Sequence, residues 1–269
     1  MSAPKVVLVA GASSGIGQAA AEMLAERGHT VFGTSRDPAR VKGKGVTPVR
    51  LELGDDVSAH RCVSEVADRA GHIDAMVYSA GYFVAGAVEE TPAALALAQL
   101  EAYLVGAHRL VRAVLPIMRD VGEGRLILMS SSAAVAPIPF HAVYSASKAA
   151  LEHYAEALRY EVEPLGIDVS CVQGTGVRTA AAANARLTEP VIGAYEPNRT
   201  RVIDRFIRDQ NEGPSPDTIA AAIVRAVETY RPRARYRVGM TAKTLPLLRG
   251  LLPSTVFRRL LARSFGYRA

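Results

Sequence analysis

Tyr144 and Lys148 stand four residues apart in His141-Ala142-Val143-Tyr144-Ser145-Ala146-Ser147-Lys148, and Ser131 lies thirteen residues before the tyrosine. On a helix, residues at i and i+4 share a face, so the phenol and the ammonium can reach the same small volume. A free phenol has a pKa of about 10 and is a poor base at neutral pH. A nearby cation favours the phenolate and lowers that value. A serine hydroxyl beside them can hold an oxygen while the phenol gives or takes its proton. The three types together suit proton transfer at a carbonyl or hydroxyl oxygen. A Tyr-x-x-x-Lys pair on its own is common on ordinary helices, so the surrounding elements must decide.

Those elements are legible. Residues 126–129 form an apolar run that reads as a buried strand, which puts Ser131 at its C-terminal mouth. The tyrosine helix then runs to about Gly166. Earlier in the chain, residues 6–10 read as a strand, followed by Gly11-Ala12-Ser13-Ser14-Gly15-Ile16-Gly17 and a helical pattern ending near Gly28. Strand, glycine turn and helix open a dinucleotide-binding unit. The glycines let backbone approach a pyrophosphate, and the helix N-terminus supplies N–H groups and positive dipole.

Further strands are predicted at 30–34, 47–53, 75–79, 125–131, 168–173 and 235–238, with helices at 57–70, 92–119 and 217–230. Alternating strands and helices predict an α/β protein with a doubly wound parallel sheet, three αβα layers and a single domain over 1–269. The second strand ends in Ser35-Arg36, where an acidic residue would bind the ribose hydroxyl of NAD. Arginine there suits a 2′-phosphate, so NADP(H) is the expected cofactor and NAD(H) the lesser alternative.

The 269 residues are 49% hydrophobic, enough for a full core. Cys62 and Cys171 sit in apolar patterns and read as buried free thiols. No secretory signal and no long apolar span is evident, so the expected location is the cytoplasm. No metal site is expected. The net charge of +6 is uneven: residues 231–269 hold ten Lys/Arg and no Asp/Glu. The basic excess therefore belongs to a tail, with a basic C-terminal extension at 240–269. This argues against a nucleic-acid surface over the whole domain and leaves a local anionic partner, including peripheral membrane contact.

Residues 178–214 break the strand–helix rhythm with a polar, proline-punctuated excursion just after a strand end. Ligands bind there in open α/β sheets, so a substrate lid is expected. Leu187, Val191, Ile192, Tyr195 and Phe206, with Ile138, Phe140 and Val143, are expected to wall an apolar pocket.

Taken together, Gly11-x3-Gly15-x-Gly17, Ser79-Ala80-Gly81, Ser131, Tyr144-x3-Lys148 and Val177-Arg178-Thr179 make the chain resemble the short-chain dehydrogenase/reductase family along nearly its whole length. Arg235-Tyr236-Arg237-Val238-Gly239 and Leu251-Leu252-Pro253 resemble its 17β-hydroxysteroid-dehydrogenase-like branch. The resemblance implies a Rossmann fold and hydride transfer between a nicotinamide and a carbonyl or alcohol. It implies Tyr144 as general acid/base and Ser131 as the group orienting substrate oxygen. It implies that Lys148 holds the nicotinamide ribose and lowers the tyrosine pKa. Gly11, Ser13, Ser14, Gly15, Ile16 and Gly17 would surround the pyrophosphate and ribose. Glu52 and Leu53 would lie by the adenine, and Ser79, Ala80 and Gly81 would line the cofactor cleft. Val177 and Thr179 would lie by the carboxamide, and Gly174 would also belong to the cofactor site.

The chain departs from the family pattern at three places. Tyr78-Ser79 replaces a pair of asparagines, and Gly174-Thr175 replaces a Pro-Gly. Tyr103 occupies the position of the helix asparagine whose water completes the usual proton relay. Its hydroxyl is expected either to take over that relay or to exclude the water. A homodimer or homotetramer is expected through the two long helices, whose exposed faces are expected to carry Leu97, Leu104 and Leu158. Two functions stand: an oxidoreductase of a small hydrophobic carbonyl or alcohol, and a dinucleotide-binding regulatory protein with little catalysis.

Overall fold

A computed structural model of the chain describes residues 3–179 and 184–267. Seven parallel strands form the central sheet. They are β1 (Val6–Ala10), β2 (Thr30–Ser35), β3 (Val46–Arg50), β4 (Ala75–Tyr78), β6 (Gly124–Ser131), β7 (Ile167–Gly174) and β9 (Arg235–Arg237). Their order across the sheet is β3-β2-β1-β4-β6-β7-β9. The chain turns one way from β1 to β2 and the other way to β4. The crevice between β1 and β4 is therefore the switch point at which such sheets bind ligands.

Alternation along β1 shows why the sheet needs helices on both faces. Val6, Leu8 and Ala10 point into one apolar cluster with α2 (Asp56–Ala70), α4 (Gly106–Val121) and α5 (Ala142–Val162). Val7 and Val9 point into the other, with α1 (Gly15–Glu26) and α7 (Asp217–Glu228). A strand buried on both faces reads as a continuous apolar run, as this one does. The result is a three-layer, single-domain Rossmann-type fold.

The predicted long helix at 92–119 is three joined pieces: α3 (Ala93–Leu100), a π-helical turn at Glu101–Val105, and α4. Such turns carry one extra residue and cluster at functional sites. The turn leaves the Ala102 carbonyl to accept a hydrogen bond from the Tyr78 hydroxyl at 2.7 Å. Gly106 makes room for that hydroxyl, since a Cβ there would lie 2.7 Å from it.

The excursion after β7 holds β8 (Arg186–Leu187), which pairs with β5 (Val84–Ala85) in a separate two-stranded sheet, and α6 (Asn198–Asn211). Its described part is tied down by the buried carboxylate of Glu90. That group accepts from Ile192 N at 2.8 Å, Thr188 Oγ1 at 3.0 Å, Ala87 N at 2.9 Å and Arg199 Nε at 2.7 Å. Burial opposes its charge, but these donors outweigh it and hold the pKa down at about 2. The chain ends in α8 (Met240–Leu251) and α9 (Ser254–Ser264).

Two expectations are corrected. Leu158 is buried in the core with Leu151, Ala155 and Val162, so it cannot face a second subunit. Leu187 and Val191 are exposed, because the inward side of the excursion is taken by Val202, Ile203 and Phe206 of α6. Phe206 and Ile138 do join the apolar cluster around Tyr144, with Phe140 packed on it.

Candidate active site

The site begins at the β1–α1 turn. Gly11 has φ +84°, and a Cβ there would come within 2.7 Å of Ala80 Cα. Only glycine allows the turn to lie this close to the Ser79-Ala80-Gly81 segment. Ser14 stands at the N-cap of α1 without using its side chain as a cap, and no acidic residue lies in the first turn. The positive end of the helix is thus left open to an anion.

One cavity of about 700 Å³ collects nearly every residue expected to bind cofactor or act in catalysis; of the expected apolar wall it takes in Phe206 and not Leu187, Val191, Ile192, Tyr195, Ile138, Phe140 or Val143. Gly11, Ser13, Ser14, Gly15 and Ile16 line its α1 end. Ser35 and Arg36 line it at the end of β2, and Glu52 and Leu53 after β3. Ser79, Ala80 and Gly81 line it after β4, as do Gly174 at the end of β7 and Val177 and Thr179 beyond it. Ser131, Tyr144, Lys148 and Tyr103 meet at its inner end. Gly17 is the exception. It sits behind the turn, where a Cβ would overlap the Gly11 carbonyl, so its part is steric.

β6 delivers Ser131 and α5 delivers the other two side chains. Tyr144 is buried, with its ring edge-to-face against Tyr103 at 5.8 Å. Burial raises its pKa, and the hydroxyl of Ser131 pulls the other way by favouring the phenolate. Lys148 is buried and donates to the Met129 carbonyl at 2.8 Å. Its ammonium also lies 3.6 Å from the centre of the Tyr103 ring. Burial lowers the lysine pKa to about 7, although the charges of Cys171 and Glu152 oppose the shift. The ammonium is engaged by a carbonyl and a ring face, and the net shift of Tyr144 is upward.

Sequence reasoning missed several residues. Glu152 lies one turn beyond Lys148 and is buried; it accepts from Ser130 Oγ at 2.6 Å and pairs with Arg235 at 3.2 Å. The repeated spacing 144, 148, 152 was the available signal. Arg40 lines the cavity beside Arg36. The nearby Asp37 spends its carboxylate capping Ala39 N at 3.1 Å. Phe83, Arg186 and Gln210 also line the cavity and come from segments with no motif.

Fold and cavity together define a Rossmann-type nucleotide-binding protein with a serine, a tyrosine and a lysine at the inner end of its cleft. The comparisons narrow this. The short chain dehydrogenase family matches residues 5–190. The chain is 34% identical over 245 residues to the 3-ketodihydrosphingosine reductase of Bacteroides thetaiotaomicron, covering 90% of each chain. It is 30% identical over 275 residues to retinol dehydrogenase 8 of Bos taurus, covering 94% of this chain and 87% of the relative. A short-chain dehydrogenase structure from Streptomyces avermitilis superposes with a TM-score of 0.81 at 31% identity, covering 91% of each chain. A short chain dehydrogenase from Burkholderia cenocepacia in complex with NADP shares the fold with a TM-score of 0.76 at 24% identity, covering 96% of this chain and 98% of the other. The chain belongs to the short-chain dehydrogenase/reductase family of oxidoreductases.

Proposed function

We propose that the chain is an NADP(H)-dependent reductase of a hydrophobic carbonyl compound, or in reverse a dehydrogenase of the matching alcohol. The observation that carries this reading is the meeting of Ser131, Tyr144 and Lys148 at the inner end of a cavity whose other walls are the α1 N-terminus and Arg36. A nicotinamide dinucleotide fits these residues. Gly11 admits close backbone approach, the α1 N-terminus is open to phosphate, and Arg36 and Arg40 offer guanidinium groups to a 2′-phosphate. Glu52 and Leu53 would meet the adenine, and Val177 and Thr179 the carboxamide. When bound, the cofactor supplies or accepts the hydride at carbon.

The protein's own groups handle the oxygen. Ser131 holds it by hydrogen bond. Tyr144 gives it a proton in reduction and takes one in oxidation. Lys148 holds the nicotinamide ribose and, once charged beside Tyr144, favours the phenolate. Phe83, Phe206 and Ile138 around Tyr144 suit an apolar substrate. Two relatives take their names from apolar molecules, 3-ketodihydrosphingosine and retinol, which supports that class. The segment 178–214, of which residues 180–183 lie outside the described residues, would act as the lid, anchored at Glu90. A homodimer or homotetramer through the 92–119 stretch (α3 and α4) and α5 remains our reading, with exposed Leu97 on α3 and Tyr160 on α5 at hand, and sedimentation velocity tests it.

The deciding experiment is a panel of hydrophobic ketones and aldehydes, with NADPH and NADH consumption followed by absorbance. A second reading rests on the seating of Lys148 on Tyr103: binding of the dinucleotide with little turnover. Tight NADPH binding with no carbonyl consumed across the panel would select it.

A further inference from the structure

We infer that the C-terminal helix pair α8–α9 is a peripheral docking surface for an anionic lipid bilayer. The pair adds little to the core: Ala242 is the buried residue of α8 and Phe257 that of α9. Met240, Leu247 and Leu251 recur at i, i+7 and i+11 and so form one stripe along α8. They are 74%, 65% and 80% exposed. On α9, Val256 and Leu260 are exposed one turn apart. A helix facing only water carries polar residues in such places.

The charge around the stripe is of one sign. Lys243, Arg258, Arg259 and Arg263 belong to a segment without a single Asp or Glu. None of the four is in an ion pair among the described residues, whereas Arg249 turns inward and donates to the Val135 carbonyl.

Charge and apolarity together select the occupant. A second copy docked on this face by a two-fold axis would set arginines against arginines. A nucleic acid would neutralise the arginines and leave the leucines in water. An anionic bilayer satisfies both: apolar side chains sink into the boundary between headgroups and acyl chains, and basic ones meet the phosphates. The surface is also joined to the site. Phe265 and Tyr267, just beyond α9, pack on the cluster that holds Tyr144, with the Tyr267 ring 6.4 Å from Phe140.

The test uses the full chain with vesicles of phosphatidylcholine alone or with roughly 30% phosphatidylglycerol, separated by sedimentation. The expected result is binding to the anionic vesicles at least about tenfold stronger than to the neutral ones. Added salt should weaken it. Arg258→Glu with Arg259→Glu should remove most of that preference. Leu247→Glu with Leu251→Glu should abolish binding while every basic residue remains. All four positions are exposed, so unchanged circular dichroism and melting are expected of both variants. Wild type that stays in the supernatant overturns the inference. So does a leucine pair that is silent on vesicles, whether it does nothing or instead breaks a dimer. Neither readout depends on catalysis, so failure here is separate from failure of the proposed activity.

Discussion

The Lys148 ammonium lies 3.6 Å from the centre of the Tyr103 ring and donates to the Met129 carbonyl at 2.8 Å. Neither partner is a carboxylate, and burial pulls the lysine pKa down to about 7. The sign of the effect on stability follows. The folded value lies below the ordinary lysine value of 10.5, so between them the unfolded chain binds the extra proton. Stability therefore rises with pH above about 7, by at most about 1.4 kcal/mol per pH unit. Below that point both states hold the proton and the cost of the buried charge is full. Denaturation midpoints of the cofactor-free protein from neutral pH to about pH 8, below the range where unfolded thiols ionise, should rise. In Lys148→Met that rise should be absent; equal slopes in both proteins would contradict the assignment.

Tyr144→Phe keeps the ring and removes the proton donor. Turnover should fall by about 10²- to 10⁴-fold, the usual worth of a positioned acid or base. NADPH affinity should stay within about threefold, because the ring remains in the cleft and only a hydroxyl is removed. Steady-state rates and a fluorescence titration check the two halves. Substantial turnover in the variant would remove Tyr144 from the chemistry.

Arg36→Ala tests cofactor choice. A charge-assisted hydrogen bond contributes about 1.5–3 kcal/mol, which is about ten- to a hundredfold in affinity. NADPH binding should weaken by that much while NADH binding stays nearly unchanged. Arg40 lines the same part of the cavity, so the double variant should lose more than the single. Equal preference for both cofactors before and after mutation would refute the role of Arg36.

How much of this was written in the sequence depends on range. β1 and the Gly11 turn were readable because a two-sided strand is continuously apolar and a tight turn needs glycine. Ser131, Tyr144 and Lys148 were readable because one helix and one strand end fix their spacing. The seating of Lys148 was not, since it depends on a π-helical turn whose partner, Tyr78, lies on another strand. The Glu90 anchor was equally hidden: it joins residues about a hundred positions apart, and no local pattern marks Glu90 as buried. Leu187 and Val191 misled because their apolar character says nothing of which side of the excursion α6 occupies.

Arg199→Met leaves the Glu90 carboxylate buried beside fewer donors. Breaking one partner of a buried pair costs about 3–5 kcal/mol. The sign with pH is that of a depressed carboxylate: its contribution is present above the ordinary glutamate value of 4.5 and lost as pH falls through about 2. Wild type should therefore keep this anchor in mildly acidic buffer. The variant should melt earlier and show faster amide exchange in segment 184–199. A variant as stable as wild type would show that the network does not hold the excursion.

Tyr103 is the departure whose meaning the structure changes. From sequence, Tyr103 was expected either to serve the proton relay through its hydroxyl or to exclude the relay water. In the fold the ring face meets the lysine, and the ring packs over Gly81, where a Cβ would overlap Tyr103 Cε1. Tyr103→Phe keeps both contacts, so activity should stay within about twofold and the pH profile should not move. Tyr103→Asn removes the ring, a desolvated cation–π contact of about 2 kcal/mol, and opens space for water beside the ammonium. Hydration relieves the burial that lowers the lysine pKa, so the charged form should persist to higher pH. The alkaline side of the pH–rate profile should then move upward in Tyr103→Asn, with some loss of melting temperature from the vacated volume. Turnover lost in Tyr103→Phe would restore the hydroxyl to the relay. An unmoved profile in Tyr103→Asn would mean that the ring only fills space.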